Sequence, residues 1–219
     1  MNRASAAKPP LAFAGAPEVF VERLRLYEAL LRKWSRTINL VAASTLDDMW
    51  TRHFADSLQT SNAAPAARRW LDLGSGGGFP GLVTAIRYAD DPAADVHLIE
   101  SDQRKCAFLR TVSRETGARA TIHCGRIEAV TPKLDAHFDA VSARALASLP
   151  KLLAYAEKFL DQGAVGVFSK GASAPAELTE IDATDKYFID ASPSLTLHSA
   201  HIVLIRKRGA RALPSDAAH

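Results

Sequence analysis

The 219-residue sequence predicts an α/β fold: seven strands in a mostly parallel sheet, the last one antiparallel, with helices on both faces and a helical extension at the N-terminus. Three observations predict it. A short apolar run, Trp70 to Leu73, breaks into five glycines within the eight residues Gly74 to Gly81. From there apolar runs of strand length alternate with segments of helical period, which calls for a parallel sheet covered by helices. The composition, 47% hydrophobic and 23% charged, is that of a globular chain long enough for a full core.

The elements follow in order. Residues 1–17, rich in Ala and Pro, read as a loose tail without the apolar core of a secretory signal. In 17–33, Val21, Leu24, Tyr27, Leu30 and Leu31 recur at helical spacing behind Pro17. A second helix is expected from about Leu46 to Leu58, after a cap at Ser44 or Thr45. These helices make an extension over 18–60, packed on a main domain over 61–208. After Trp70 to Leu73, Pro80 suits the first turn of a helix because it lacks the N–H that is unpaired there anyway. Strands are expected at Val96 to Glu100, Ala120 to His123, Phe138 to Ser142 and Ala164 to Ser169. Helices are expected at Gln103 to Thr116, closed by Gly117, at Leu149 to Phe159, and near Ala174 to Ile181. Two final strands, about Lys186 to Asp190 and His201 to Arg206, have no helix between them and should pair antiparallel. Residues 209–219 read as a second tail.

No apolar stretch approaches the length of a membrane span. Cys106 and Cys124 have no C-x-x-C partners and read as reduced core thiols of a cytoplasmic protein rather than a metal site or a disulfide. The net charge is only +3. Arg104, Lys105, Arg110, Arg114, Arg119 and Arg126 lie close together, as do Arg206, Lys207, Arg208 and Arg211. Solvated helix faces explain such runs as well as a polyanionic partner does.

In this kind of sheet ligands sit beyond the carboxyl ends of the strands. The first ends in Asp72-Leu-Gly74-Ser-Gly76-Gly-Gly78, an acidic residue followed by G-x-G-x-G. A G-x-G-x-x-G for a dinucleotide also exists as Gly76, Gly78 and Gly81, but that match alone is weak. The register against the strand instead looks like motif I of Rossmann-like class I methyltransferases, whose S-adenosylmethionine offers a sulfonium, an amino group and a ribose to nearby acids. An ordinary glycine-rich turn would account for any one of these glycines, less readily for five. Glu100, ending the second strand, can accept both ribose hydroxyls. Gly125 to Glu128 can bracket an adenine through Ile127 and Glu128, although a Glu at a helix start is nearly as good a reading. Arg144, ending the fourth strand, is placed for a methionine carboxylate or a substrate, with a structural salt bridge as competitor. No Asn-Pro-Pro-aromatic sequence stands there, which argues against adenine-N6 chemistry. Lys170-Gly171 is a phosphate or base contact or a plain loop lysine. Asn39, Arg52, His53 and Asp56 are polar groups among apolar neighbours, and Asp56, three residues after His53, could orient its ring.

Together these segments resemble the bacterial small-subunit (16S) ribosomal RNA guanine-N7 methyltransferase family, also called glucose-inhibited division protein B. The matching stretches are Trp34 to Leu40, Arg52 to Leu58, Leu71 to Gly81, Leu98 to Leu109, Arg126 to Glu128, Ala143 to Leu149 and Lys170-Gly171, spanning about 18–208. The resemblance implies that Gly74, Phe79, Ile127, Glu128 and Arg144 contact S-adenosylmethionine; their places at the glycine turn and strand ends add Asp72, Gly76 and Glu100 as expected contacts. It implies that the N-terminal helices, with Asn39 and His53, and the loop at Lys170 face 16S ribosomal RNA or the small ribosomal subunit; Arg52, beside His53, is read with them, and a monomer without a metal is expected. Guanine N7 has a free lone pair, so no catalytic base is expected. A small-molecule methyltransferase, a dinucleotide-dependent oxidoreductase and a nucleotide-binding regulatory module are the competing readings.

Overall fold

The computed structural model describes residues 13–181 and 186–210. The expected tails over 1–12 and 211–219, with Arg211, lie outside the described residues. Tail residues 13–17 do not all stand apart: Phe13 is buried and meets the Trp50 ring edge-on at 5.2 Å.

The strands are β1 (Arg69–Leu73), β2 (Asp95–Glu100), β3 (Thr121–Cys124), β4 (Ala140–Arg144), β5 (Val165–Lys170), β6 (Tyr187–Pro193) and β7 (His201–Lys207). Their order in the sheet is β3-β2-β1-β4-β5-β7-β6. β1 pairs parallel with both β2 and β4, so the chain winds one way through β2 and β3 and the other way through β4 and β5. Beyond the ends of β1 and β4 this reversal opens the crevice in which such sheets bind ligands. β7 runs antiparallel to both neighbours, β5 and β6, as expected of a hairpin with no helix to cross over.

Helices α1 (Glu18–Trp34), α2 (Asp56–Asn62), α3 (Gly81–Arg87), α4 (Gln103–Thr116), α5 (Ile127–Val130), α6 (Leu149–Asp161) and α7 (Ala174–Thr179) cover the sheet. The period of two along β1 sends Trp70 to one core with Leu24, Tyr27, Ile86 and Phe108, and Leu71 and Leu73 to the other with Leu152, Phe159 and Leu160. Asp72 therefore points to the α1–α3 side. α4 has the cap chemistry the sequence offers: the Asp102 carboxylate accepts the Arg104 and Lys105 amides, and Gly117 closes the helix at φ +69°.

The helix expected over 46–58 is corrected. A 3₁₀ turn covers Ala43–Thr45, a π-helical turn covers Trp50–Ala55, and α2 begins only at Asp56. Thr45 does not cap a helix, because its hydroxyl donates to the Ala42 carbonyl and meets His53. Tertiary packing overrides the 3.6-residue period here. The wider turn buries His53, Phe54 and Ala55 in succession, with Trp50 edge-on to Phe54 and bonded through Nε1 to Glu28. The thiols also differ from expectation: Cys106 is buried, but Cys124, on the edge strand β3, is exposed.

Candidate active site

At the switch point the chain must turn from β1 into α3 within a few residues, and Gly74 and Gly76 do so at φ +65° and +56°, a region that disfavours side chains. A β-carbon on Gly74 would lie 2.5 Å from Leu146, whereas one on Gly76 would meet only open space and the Gly74 carbonyl. That open space is a cavity of about 500 Å³, walled by Gly74 to Gly77, Phe79, Ile99 to Ser101, Lys105, Gly125 to Glu128 and Arg144 to Ala147. Its size suits a nucleoside-bearing cofactor.

Of the residues read as cofactor contacts, Gly74, Gly76, Phe79, Glu100, Ile127, Glu128 and Arg144 all line this cavity. Asp72 does not. It is fully buried beneath the turn, where its carboxylate accepts the Gly81 amide at 3.2 Å and the Ser142 hydroxyl at 2.8 Å. Alternation along β1 requires this, since the side chain leaves the strand toward α3. Asp72 is thus a support of the turn, and burial pushes its carboxyl up to about 6, against the lowering hydrogen bonds of Ser75, Ser142 and Gly81.

Glu100 accepts the amides of Gly76 and Asp102, both at 2.8 Å. Two lone-pair sites of its four remain for ribose hydroxyls. Glu128 accepts the Tyr155 hydroxyl at 2.6 Å, which holds its carboxyl below the usual range. The lining carries these two carboxylates and four cations, Lys105, Arg126, Arg144 and Lys151, a donor set that matches a ribose, an amino group and a carboxylate on one ligand.

A second cavity, also about 500 Å³, shares Leu40, Arg144 and Ala145 with the first and adds Thr45, Arg52, His53, Asp56, Lys170 and His201, among others. Arg144 stands in the common wall. Its guanidinium donates to the Arg52 carbonyl at 3.1 Å, Asp56 at 3.2 Å and His53 Nδ1 at 3.0 Å, and lies 4.9 Å over the Phe79 ring. Arginine only donates, so Nδ1 accepts and His53 Nε2 carries the proton toward the Thr45 hydroxyl at 2.8 Å. Burial first, then the charges of Arg144 and Arg52, push His53 down to about 4, against a smaller pull from Asp48. The ring is neutral near pH 7.

The expected His53–Asp56 pairing is corrected. The Asp56 carboxylate goes to Arg144 and to the Thr196 hydroxyl at 2.9 Å, so His53 and Asp56 converge on Arg144 from one segment. Lys170 is no free loop lysine: its ammonium pairs with Glu177 at 2.7 Å and donates to the Ala147 carbonyl. Arg52 is exposed at the second cavity. Asn39 is exposed between buried Ile38 and Leu40 and lines neither cavity, although Leu40 lines both. Sequence reasoning missed Leu40, Lys105, Leu146, Lys151 and Tyr155 as lining. It also missed Tyr27, whose hydroxyl donates to the Gly77 carbonyl. Tyr27 carried only the signal of an apolar helix position.

A seven-stranded sheet in this order, with a glycine-walled, carboxylate-bearing cavity at its switch point, defines a class I methyltransferase of the kind that uses S-adenosylmethionine. Solved structures share the fold: a putative O-methyltransferase from Klebsiella pneumoniae (TM-score 0.62, 15% identity, 90% of this chain and 94% of that one), and the O-methyltransferase TomG from Streptomyces achromogenes, crystallised with S-adenosylmethionine (TM-score 0.57, 20% identity, 86% and 90%). The model of the GidB family, rRNA small subunit methyltransferase G, matches residues 21–203, and the chain belongs to that family. It is similar to the ribosomal RNA small subunit methyltransferase G of Parvibaculum lavamentivorans (48% identical, 85% of this chain and 82% of that one) and to that of Rhodospirillum centenum (52%, 83% and 82%).

Proposed function

We propose that this chain transfers a methyl group from S-adenosylmethionine to N7 of a guanine in small-subunit (16S) ribosomal RNA. The observation that carries the reading is the pair of adjoining cavities divided by Arg144: the first fits the cofactor, and the second has room for a nucleobase. Arg52 and His201 stand in the second cavity, and the exposed guanidinium of Arg52 suits a phosphate-bearing strand. The extension over 18–60 supplies Leu40, Val41, Thr45, Arg52, His53 and Asp56 to that cavity, and the domain over 61–208 supplies the lining of the cofactor cavity apart from Leu40.

The cofactor supplies an electrophilic methyl group. The chain's own work is positioning, which for well-oriented partners reaches effective molarities of about 10⁵ M or more. Guanine N7 attacks with a lone pair and loses no proton, so no general base is needed. The site agrees with this: His53 is neutral and both ring nitrogens are already engaged. N7 lies on the edge that A-form RNA hides in a deep, narrow groove, so the target guanine enters unpaired and splayed out. We take the protein to act as a monomer on this RNA. Among the described residues no helix is long and apolar enough to cross a membrane, and the reading places the protein with ribosomal RNA in the cytoplasm.

Incubation with labelled S-adenosylmethionine and either small subunits or naked 16S RNA from a strain lacking the enzyme should label one guanine, mapped to N7. No label in small-subunit RNA of either form would overturn the reading. A duplex-embedded guanine methylated as fast would overturn the splayed geometry.

A further inference from the structure

The chain has two cysteines, 18 positions apart in sequence and absent from the lining of both cavities. The fold brings them together. The β2–β3 register pairs Leu98 with Ile122 and Glu100 with Cys124. Leu98 faces the core that contains Phe108 and Leu109 of α4, and alternation along the strand puts Cys124 on the same face as Ile122. Cys106 sits in the first turn of α4, and its thiol donates to the Glu100 carbonyl at 3.2 Å. The same carbonyl accepts the amide of Gly125, next to Cys124, at 2.8 Å. Both cysteines thus lie against the one Glu100 carbonyl, on the same side of β3. Burial first, and then the neighbouring Cys124, push Cys106 up to about 12, so it stays a thiol while Cys124 is open to solvent.

We propose that Cys124 and Cys106 form an oxidation site for hydroperoxides, closing to an intramolecular disulfide that weakens cofactor binding. The Cys124 thiolate attacks the terminal peroxide oxygen; the O–O bond breaks, leaving a sulfenic acid and releasing the other oxygen, after protonation, as water from hydrogen peroxide or as an alcohol from an organic hydroperoxide. The Cys106 sulfur then attacks the Cys124 sulfur as its proton leaves. The S–O bond breaks, and hydroxide departs with that proton as water. Two thiols supply the two electrons that reduce one peroxide.

The link to the cofactor lies in the neighbours. Gly125 to Glu128 follow Cys124, and Lys105 precedes Cys106; all line the cavity. A disulfide holds its sulfurs at about 2.05 Å, well inside thiol–thiol contact, and draws the end of β3 toward α4. The lining of the adenine end shifts with it. This inference needs only the cofactor cavity, not the RNA substrate.

The test treats the full chain with hydrogen peroxide, counts thiols after unfolding, and maps tryptic peptides. S-adenosylhomocysteine affinity is measured by calorimetry before oxidation, after it, and after reduction with dithiothreitol. The expected result is loss of both thiols, a cross-link between peptides 106–110 and 120–126, and a fall in affinity of about tenfold that reduction reverses. Cys124→Ser should keep its affinity through the same treatment. Surviving thiols, an over-oxidised Cys124 without a cross-link, or a cross-link that leaves the affinity unchanged would each overturn the proposal.

Discussion

Arg144 holds the wall between the cavities because three acceptors from one short segment surround it, and this changes what its partner His53 is expected to do. Removing the ring deletes an acceptor for the guanidinium and the stacking partner of Phe79, whose centroid lies 4.9 Å away. His53→Ala should therefore weaken S-adenosylhomocysteine binding as well as RNA methylation, in the same direction as Arg144→Ala. A double-mutant cycle by calorimetry should give a coupling energy of at least about 0.5 kcal/mol, and strictly additive losses would show the two side chains acting apart. Asp72 makes a pH prediction. Its carboxyl rises from 3.8 to about 6 on folding, so the folded chain binds the extra proton between these values. Its contribution to stability is fully present below about pH 4 and is lost as pH rises through 6. Wild type should lose roughly 3 kcal/mol relative to Asp72→Asn between about pH 4 and pH 7, measured by denaturant unfolding at the two pH values. His53, lowered to about 4, pulls the other way but is common to both proteins and cancels. A pH-independent difference would refute the buried, proton-linked carboxylate.

At the scale of elements, α1 does more than cover the sheet. Its Tyr27 stacks on Phe79 at 5.3 Å and bonds the buried Gly77 carbonyl, so an extension helix braces the glycine turn. Tyr27→Phe leaves that carbonyl without its donor and should cost about 1–3 kcal/mol, with weaker S-adenosylhomocysteine binding. A thermal melt paired with calorimetry separates the two effects; lost stability with unchanged binding would show that the brace does not reach the cavity. The strands and α4 were readable because each depends on local signals: a period of two, the Asp102 cap, the Gly117 stop. The segment over 43–62 was not. Its π-helical turn exists because His53, Phe54 and Trp50 are packed by residues of α1, of the glycine turn and of Phe13, and no local pattern encodes those neighbours.

Across the whole molecule, the sheet order places the ends of β1 and β4 side by side, and both cavities open there. The sequence by itself determined the alternation of elements, the glycine turn and the strand-end residues around the first cavity. These follow from periodicity, allowed backbone angles and the rule that such sheets bind at their carboxyl ends, all of which act over a few residues. Only the tertiary structure decided what Arg144 touches, since Asp56 and His53 lie 88 and 91 positions away. It alone tied Lys170 to Glu177 and brought Cys106 and Cys124 to the one Glu100 carbonyl. Those are contacts between separate elements, and their partners are chosen by how the two faces of one sheet are filled, which no stretch of sequence specifies alone.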